Sequence, residues 1–122
     1  MEKVLIDSCV LIEILRGNTE IKNKFLTYNK HFVTFIITME LMQGAINKEV
    51  LNKVKKVLNN YYMLPVNEEV ANLSIQLIDK YSLSHGLTIP DAIIAATSLI
   101  YDVKLFTLNL KDFKFISGIK LL

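Results

Sequence analysis

The chain is 122 residues long, enough for one domain with its own core, and it carries a net charge of only +2. Hydrophobic residues make up 52% of it, above the roughly 45–50% of ordinary globular chains, which hints at a surface covered by a second chain. The lone cysteine, Cys9, excludes an internal disulfide, no apolar run reaches a membrane span, and Asp7 and Glu13 interrupt the first apolar stretch as no signal peptide would; a cytoplasmic protein without membrane contact is expected.

In chain order, Val4-Leu5-Ile6 reads as a central strand covered on both faces, ended by Asp7. Val10, Leu11, Ile14 and Leu15 recur at helical spacing and Gly17 closes that helix. Asn18 or Thr19 caps a second helix, with Ile21, Phe25 and Leu26 on its inner face. His31 to Ile37 reads as the next strand. A helix then starts at Thr38, holding Glu40 in its first turn, with Gly44 allowing a close packing contact. Asn47 to Asn60 is an amphipathic helix with Val50, Val54, Val57 and Leu58 inward and Lys53, Lys55 and Lys56 outward. Tyr61 to Val66 is a short strand that Pro65 confines to an edge.

Asn67 caps a longer helix, broken at Ser84-His85-Gly86. Thr88 caps the next, with Pro90 and Asp91 in its first turn and the small residues Ala92, Ala95 and Ala96 behind them. Val103 to Thr107 is a buried strand, Asn109 opens a short helical turn holding Asp112, and Ile119 to Leu122 is a last edge strand. The alternation of strand and helix predicts a single α/β domain over residues 1–122, built on a parallel sheet.

Four acids fall at the helix starts or strand ends of this pattern: Asp7, Glu40, Asp91 and Asp112. In a parallel α/β fold those points gather along the carboxyl edge of the sheet, where ligands bind. Singly, each has a structural reading. Asp7 is a good N-cap, Thr88-x-x-Asp91 and Asn109-x-x-Asp112 have the form of capping boxes, and Glu40 suits a helix dipole. Together they form a set of oxygen ligands that hard divalent cations favour, and that would repel without one.

These residues carry a resemblance. Val4-Leu5-Ile6-Asp7-Ser8, Ile37-Thr38-x-Glu40-Leu41-x-x-Gly44-Ala45, Gly86-Leu87-Thr88-Ile89-Pro90-Asp91-Ala92 and Leu105-x-Thr107-x-Asn109-x-x-Asp112-Phe113 stand in the order of the PIN-domain ribonucleases. The chain resembles in particular the VapC-type toxins of toxin–antitoxin pairs. The resemblance implies a three-layer sandwich, a central parallel β-sheet flanked by helices, and an endoribonuclease dependent on Mg²⁺ or Mn²⁺ that cleaves tRNA or ribosomal RNA. It places Asp7, Glu40 and Asp91 on the family's core acids and Asp112 on its more variable fourth. Ser8 and Thr107 are candidates to hydrogen-bond the metal-bound carboxylates, and Asn109 to orient Asp112. Where many relatives have a basic residue between the Thr and the Asn of the late motif, this chain has Leu108.

The resemblance also implies an antitoxin partner that drives an apolar segment and a basic residue onto the acids. It implies a homodimer too, to which the second helix and the Lys-bearing helix are candidate contributors. The alternative is a PIN-like RNA-binding or housekeeping RNA-processing protein without a dedicated antitoxin. Other enzyme classes fail on residue detail. A haloacid-dehalogenase-type phosphatase needs an acid two residues after the first, where Cys9 stands, and a receiver domain needs paired early acids. The remaining side chains with chemistry read as structural: Cys9 as a buried thiol, His31 and His85 as surface residues without a nucleophile to serve.

Overall fold

Val4, Leu5 and Ile6 are each 0% exposed. Successive strand residues point to opposite faces, so their strand is covered on both sides. It is β1 (Lys3–Ile6), an inner strand of the sheet in a computed structural model that describes residues 2–122. β1 pairs in parallel with β2 (Lys30–Val33) on one side and β4 (Lys104–Phe106) on the other, and β3 (Tyr62–Met63) extends the sheet beyond β2. The order is β3-β2-β1-β4. β3 is an edge, as Pro65 requires.

Six helices connect and cover these strands: α1 (Ser8–Leu15), α2 (Thr19–Leu26), α3 (Phe35–Gln43), α4 (Lys48–Leu58), α5 (Glu68–His85) and α6 (Ile89–Tyr101). The chain steps one way from β1 to β2 to β3, then returns past β1 to β4. Right-handed crossovers therefore put α1 to α4 over one face of the sheet and α5 and α6 over the other. This is the expected α/β sandwich with a central parallel sheet. The reversal of direction falls between β1 and β4. At such a switch point the loops leaving two neighbouring strands diverge, opening a crevice at their carboxyl ends.

Each helix starts on a side chain that satisfies an otherwise orphaned N–H. Asn18, Thr34, Asn47, Asn67 and Thr88 accept from the residue three positions on, while Asp7 accepts from Ser8. α5 ends on Gly86 at φ +70°, a conformation that costs a side-chain-bearing residue about 1–2 kcal/mol. The alanines of α6, Ala92, Ala95 and Ala96, are fully buried and let it lie close to α5, β4 and α3.

The second strand and the helix after it differ from the sequence reading. The strand ends at Val33, and Thr34 caps α3: its Oγ1 accepts from the Ile37 N–H at 3.2 Å, and its carbonyl accepts from Thr38 Oγ1 at 3.0 Å. An unbroken run of apolar and β-branched residues has no period that separates strand from helix, and the cap decides it. Glu40 thus lies in the second turn of α3 rather than the first.

Smaller corrections follow. Gly44 ends α3, and a Cβ there would meet only the carbonyls of Glu40 and Leu41, so it marks no contact with another element. Leu26 is 60% exposed rather than buried. Leu121 makes a single parallel bridge to Leu105 instead of a strand. No helix among the described residues is long and apolar enough to cross a membrane.

These packing differences set a stability contrast. Leu5→Ala empties a fully buried position in β1 and should cost about 2–5 kcal/mol. Leu26→Ala should cost less than about 0.5 kcal/mol. Urea titrations of both variants measure the difference, and similar losses in the two would contradict the burial of Leu5 against the exposure of Leu26.

Candidate metal-binding active site

Asp7 follows directly on β1, at the switch point, and is 5% exposed. A buried carboxylate must be surrounded by donors, and this one is. Its Oδ1 accepts from the Ser8 N–H at 2.8 Å. Its Oδ2 accepts from Thr107 Oγ1 at 2.8 Å and from Cys9 Sγ at 3.6 Å. Thr107 stands just after β4, the strand beside β1, so the two strand ends are clasped through side chains 100 residues apart. The same hydroxyl accepts from the Asn109 N–H at 3.1 Å, and Cys9 Sγ accepts from the Leu108 N–H at 3.4 Å. The loop after β4 is thereby tied to the first turn of α1.

The other acids stand around this anchored one. Glu40, exposed on α3, accepts from Ser8 Oγ at 3.4 Å. Asp91, half-buried, sits in the first turn of α6, whose cap Thr88 accepts from its N–H at 3.4 Å. Asp112, half-buried, closes a short 3-10 turn, Leu110–Asp112.

Asp91 and Glu40 both feel the charge of the neighbouring acids. Burial, then the charges of Asp7 and Asp112, with a smaller push from Glu40, raise Asp91 from 3.8 to about 6 against the opposing Thr88 hydrogen bond. Glu40 is raised as well, by burial first and then by Asp7. The two ion pairs among the described residues, Arg16 with Glu13 and Lys120 with Asp102, lie elsewhere. The cluster has no cationic side chain of its own to balance it.

The donor set is hard oxygen without histidine, which fits a hard divalent cation and not zinc. Among the described residues no three acid, cysteine or histidine side chains converge closely enough to enclose an ion.

Ser8 and Thr107 both reach site carboxylates. Asn109 takes part through its backbone, and its side chain makes no capping bond over the turn that carries Asp112. Cys9 is the residue that the sequence reading set aside. It is half-buried, and burial together with the Asp7 charge holds its thiol above the usual range, so it stays protonated as a donor to Asp7. The available signal was its place two residues after a helix-capping acid, where a side chain folds back over the cap.

Comparison with known proteins gives the site its setting. The PIN domain family model matches residues 4–117, nearly the whole chain and all four acids. Ribonuclease VapC1 of Rickettsia felis is 30% identical over 127 residues, covering 98% of this chain and 94% of that protein. Ribonuclease VapC10 of Mycobacterium tuberculosis is 29% identical over 121 residues, covering 96% and 90%. Among solved structures, a toxin–antitoxin complex from Klebsiella pneumoniae superposes with a TM-score of 0.83 at 28% identity, covering 98% of this chain and 95% of that one. FitAcB from Neisseria gonorrhoeae shares the fold, with a TM-score of 0.80 at 24% identity over 98% and 96% of the two chains. With its matching span, its anchored aspartate and its fold, the chain belongs to the PIN domain family, among the VapC ribonucleases.

Proposed function

We propose that this protein is a divalent-metal-dependent endoribonuclease, acting on tRNA or ribosomal RNA as the toxin of a toxin–antitoxin pair. The observation that carries the reading is the carboxylate cluster around Asp7, in which the neighbouring acids raise the proton affinity of Asp91 and Glu40 without a basic partner among the described residues. Asp7 and Asp91 would hold Mg²⁺ or Mn²⁺ directly, and Glu40 and Asp112 through its waters. When bound, the cation supplies charge neutralisation at the scissile phosphate and a more acidic water.

The chain's own residues do the rest. Asp7 is held in place by three donors, so its carboxylate needs little reorganisation to meet a cation. Glu40 stands at the rim with raised proton affinity, and its Oε atoms can take a proton from a water positioned there. Ser8, through its backbone N–H to Asp7 and its hydroxyl to Glu40, keeps those two carboxylates in register.

Asp7→Asn and Asp91→Asn should each abolish RNA cleavage. Without metal, Asp91→Asn should also stabilise the fold. A carboxyl whose folded-state pKa is raised favours folding when protonated, so its penalty appears as pH rises from 3.8 to about 6 and persists above. In excess EDTA the variant should melt above the wild type at pH 7.5, with the gain fading by pH 4.5. Full cleavage by either variant, or a lower melting temperature for Asp91→Asn at pH 7.5, would remove the metal reading.

The partner reading rests on a groove of about 540 Å³ between α1, α3 and α4, lined by Ile12, Leu15, Leu41, Ile46 and Val50 with Glu40 in its wall. An apolar antitoxin segment laid there would carry an Arg onto the acids, where its planar fork pairs with carboxylates. Expression of the protein alone in a heterologous bacterium should arrest growth, and co-expression of the antitoxin should restore it. An Arg-to-Glu change in the antitoxin should restore growth less well. Unimpaired growth with soluble wild-type protein, equal to an Asp7→Asn control, would remove the toxin assignment.

The homodimer reading rests on a second apolar groove, about 380 Å³ between α5 and α6, flanked by Ile75 and Ile89 at 69% and 68% exposure. Light scattering at micromolar concentration should give twice the 14.0 kDa chain mass, and Ile75→Glu should halve it. A monomeric wild type would refute the dimer.

A further inference from the structure

Both histidines of the chain stack on a phenylalanine, and only one of them is closed off. His31 lies 3.8 Å from Phe25 with the rings 4° from parallel, and its Nε2 is bonded to the Phe25 carbonyl at 2.8 Å. That ring is half-buried, and Tyr61 meets it edge to face at 6.0 Å. His85, the last residue of α5, stacks on Phe115 at 4.3 Å and 12°. Ser84 Oγ holds its Nδ1 at 2.7 Å, and its Nε2 takes no partner among the described residues.

The outer face of this imidazole is open. Tyr81 meets His85 edge to face at 5.7 Å and Phe115 at 5.1 Å. A ring on the far face of the imidazole would stand two stacking distances from Phe115, so Tyr81 lies beside the stack and not over it. Tyr81 is buried, Phe115 half-buried and His85 exposed, which makes the imidazole the outermost layer. The stack is also rigid: Tyr81 Oη accepts from the Ser117 N–H at 3.2 Å, pinning the loop that carries Phe115 onto α5.

Its place in the chain ties it to the segments that carry Asp112 and Asp91. Phe115 is three residues past Asp112, and His85 is three residues before Thr88, the cap of the helix that carries Asp91. Three residues span at most about 11 Å. The exposed Lys111 and Lys114 belong to the same loop as Phe115.

We propose that the His85–Phe115 stack is a base-stacking platform that seats an unpaired nucleotide of the RNA next to the cleavage site. This rests on the ribonuclease reading above. An exposed π-face held by stacking, with an unpartnered ring nitrogen beside it, receives a base of any sequence, and Lys111 and Lys114 supply contacts for the flanking phosphates. The carboxylates repel phosphates and Leu108 offers no charge, so stacking adds an attraction that the acids do not oppose.

The test uses a single-stranded oligoribonucleotide containing 2-aminopurine, whose fluorescence is quenched by stacking, with cleavage of the same oligonucleotide measured in Mn²⁺. His85→Ala should raise KM about five- to tenfold with kcat within about twofold, and should lose the quenching. His85→Phe, which keeps the flat ring, should restore both. Melting temperatures of the two variants within a few degrees of wild type complete the expected result. Cleavage by His85→Ala with unchanged KM, or equal losses in His85→Phe and His85→Ala, would overturn the platform and leave the nuclease standing. Quenching by wild type without any cleavage would keep the platform and remove the nuclease. Neither binding nor cleavage by wild type would overturn both.

Discussion

The clasp between Asp7 and Thr107 is the contact on which the site depends. A carboxylate at 5% exposure is tolerable only because three donors surround it, and two of them, the Ser8 N–H and the Cys9 thiol, come from the first turn of the helix that Asp7 itself caps. The third comes from across the switch point, 100 residues away. One side chain therefore terminates β1, starts α1 and fixes the end of β4. The geometry of the acid is inherited from the sheet rather than from a loop, which is the rigidity that a binding site for a cation demands.

Placing further acids around that anchor costs stability. Asp91 is pushed up to about 6 because it shares a partly desolvated crevice with Asp7, Asp112 and Glu40. The fold accepts this by mounting the acids where local structure welcomes negative charge. Asp7 caps α1 and Asp91 sits in the first turn of α6, both against the positive ends of helix dipoles. Those terms lessen the repulsion without cancelling it, and what is left over is available to a cation.

Most of this architecture was legible in the residues. β1, the caps at Asn67 and Thr88, the edge position of β3 and the grouping of the acids follow from patterns that act within a few residues. From Thr34 to Ile37 the strand reading fails because the β-branched run suits strand and helix alike, and Thr34 settles the matter only when its hydroxyl is seen to accept the Ile37 N–H. Glu40 kept its place in the site despite the shift, since what counts is the face of α3 it occupies and not its turn. Cys9 reads in the sequence as a plain buried thiol for a different reason. Its hydrogen bonds come from partners that include Thr107 and Leu108, and contacts between distant segments have no local signature.

A cluster that would attract a divalent cation would also repel an RNA phosphate. A phosphate backbone approaching Asp7, Asp91 and Asp112 gains nothing from charge until a cation is present. Leu108, exposed beside Thr107, adds none. With a net charge of +2, the chain has no strong overall field to draw RNA in. Affinity at the crevice must then come from the cation, from lysines set back from the acids, and from surfaces that bind bases rather than phosphates. Of these, only a stacking surface holds its ligand independently of salt, because it releases no counter-ions. A ring already immobilised by Phe115 and Ser84 supplies that contact with little ordering cost. In the proposed reading the division of labour is physical: carboxylates for the ion, the ion for the phosphate, and an aromatic edge for the base.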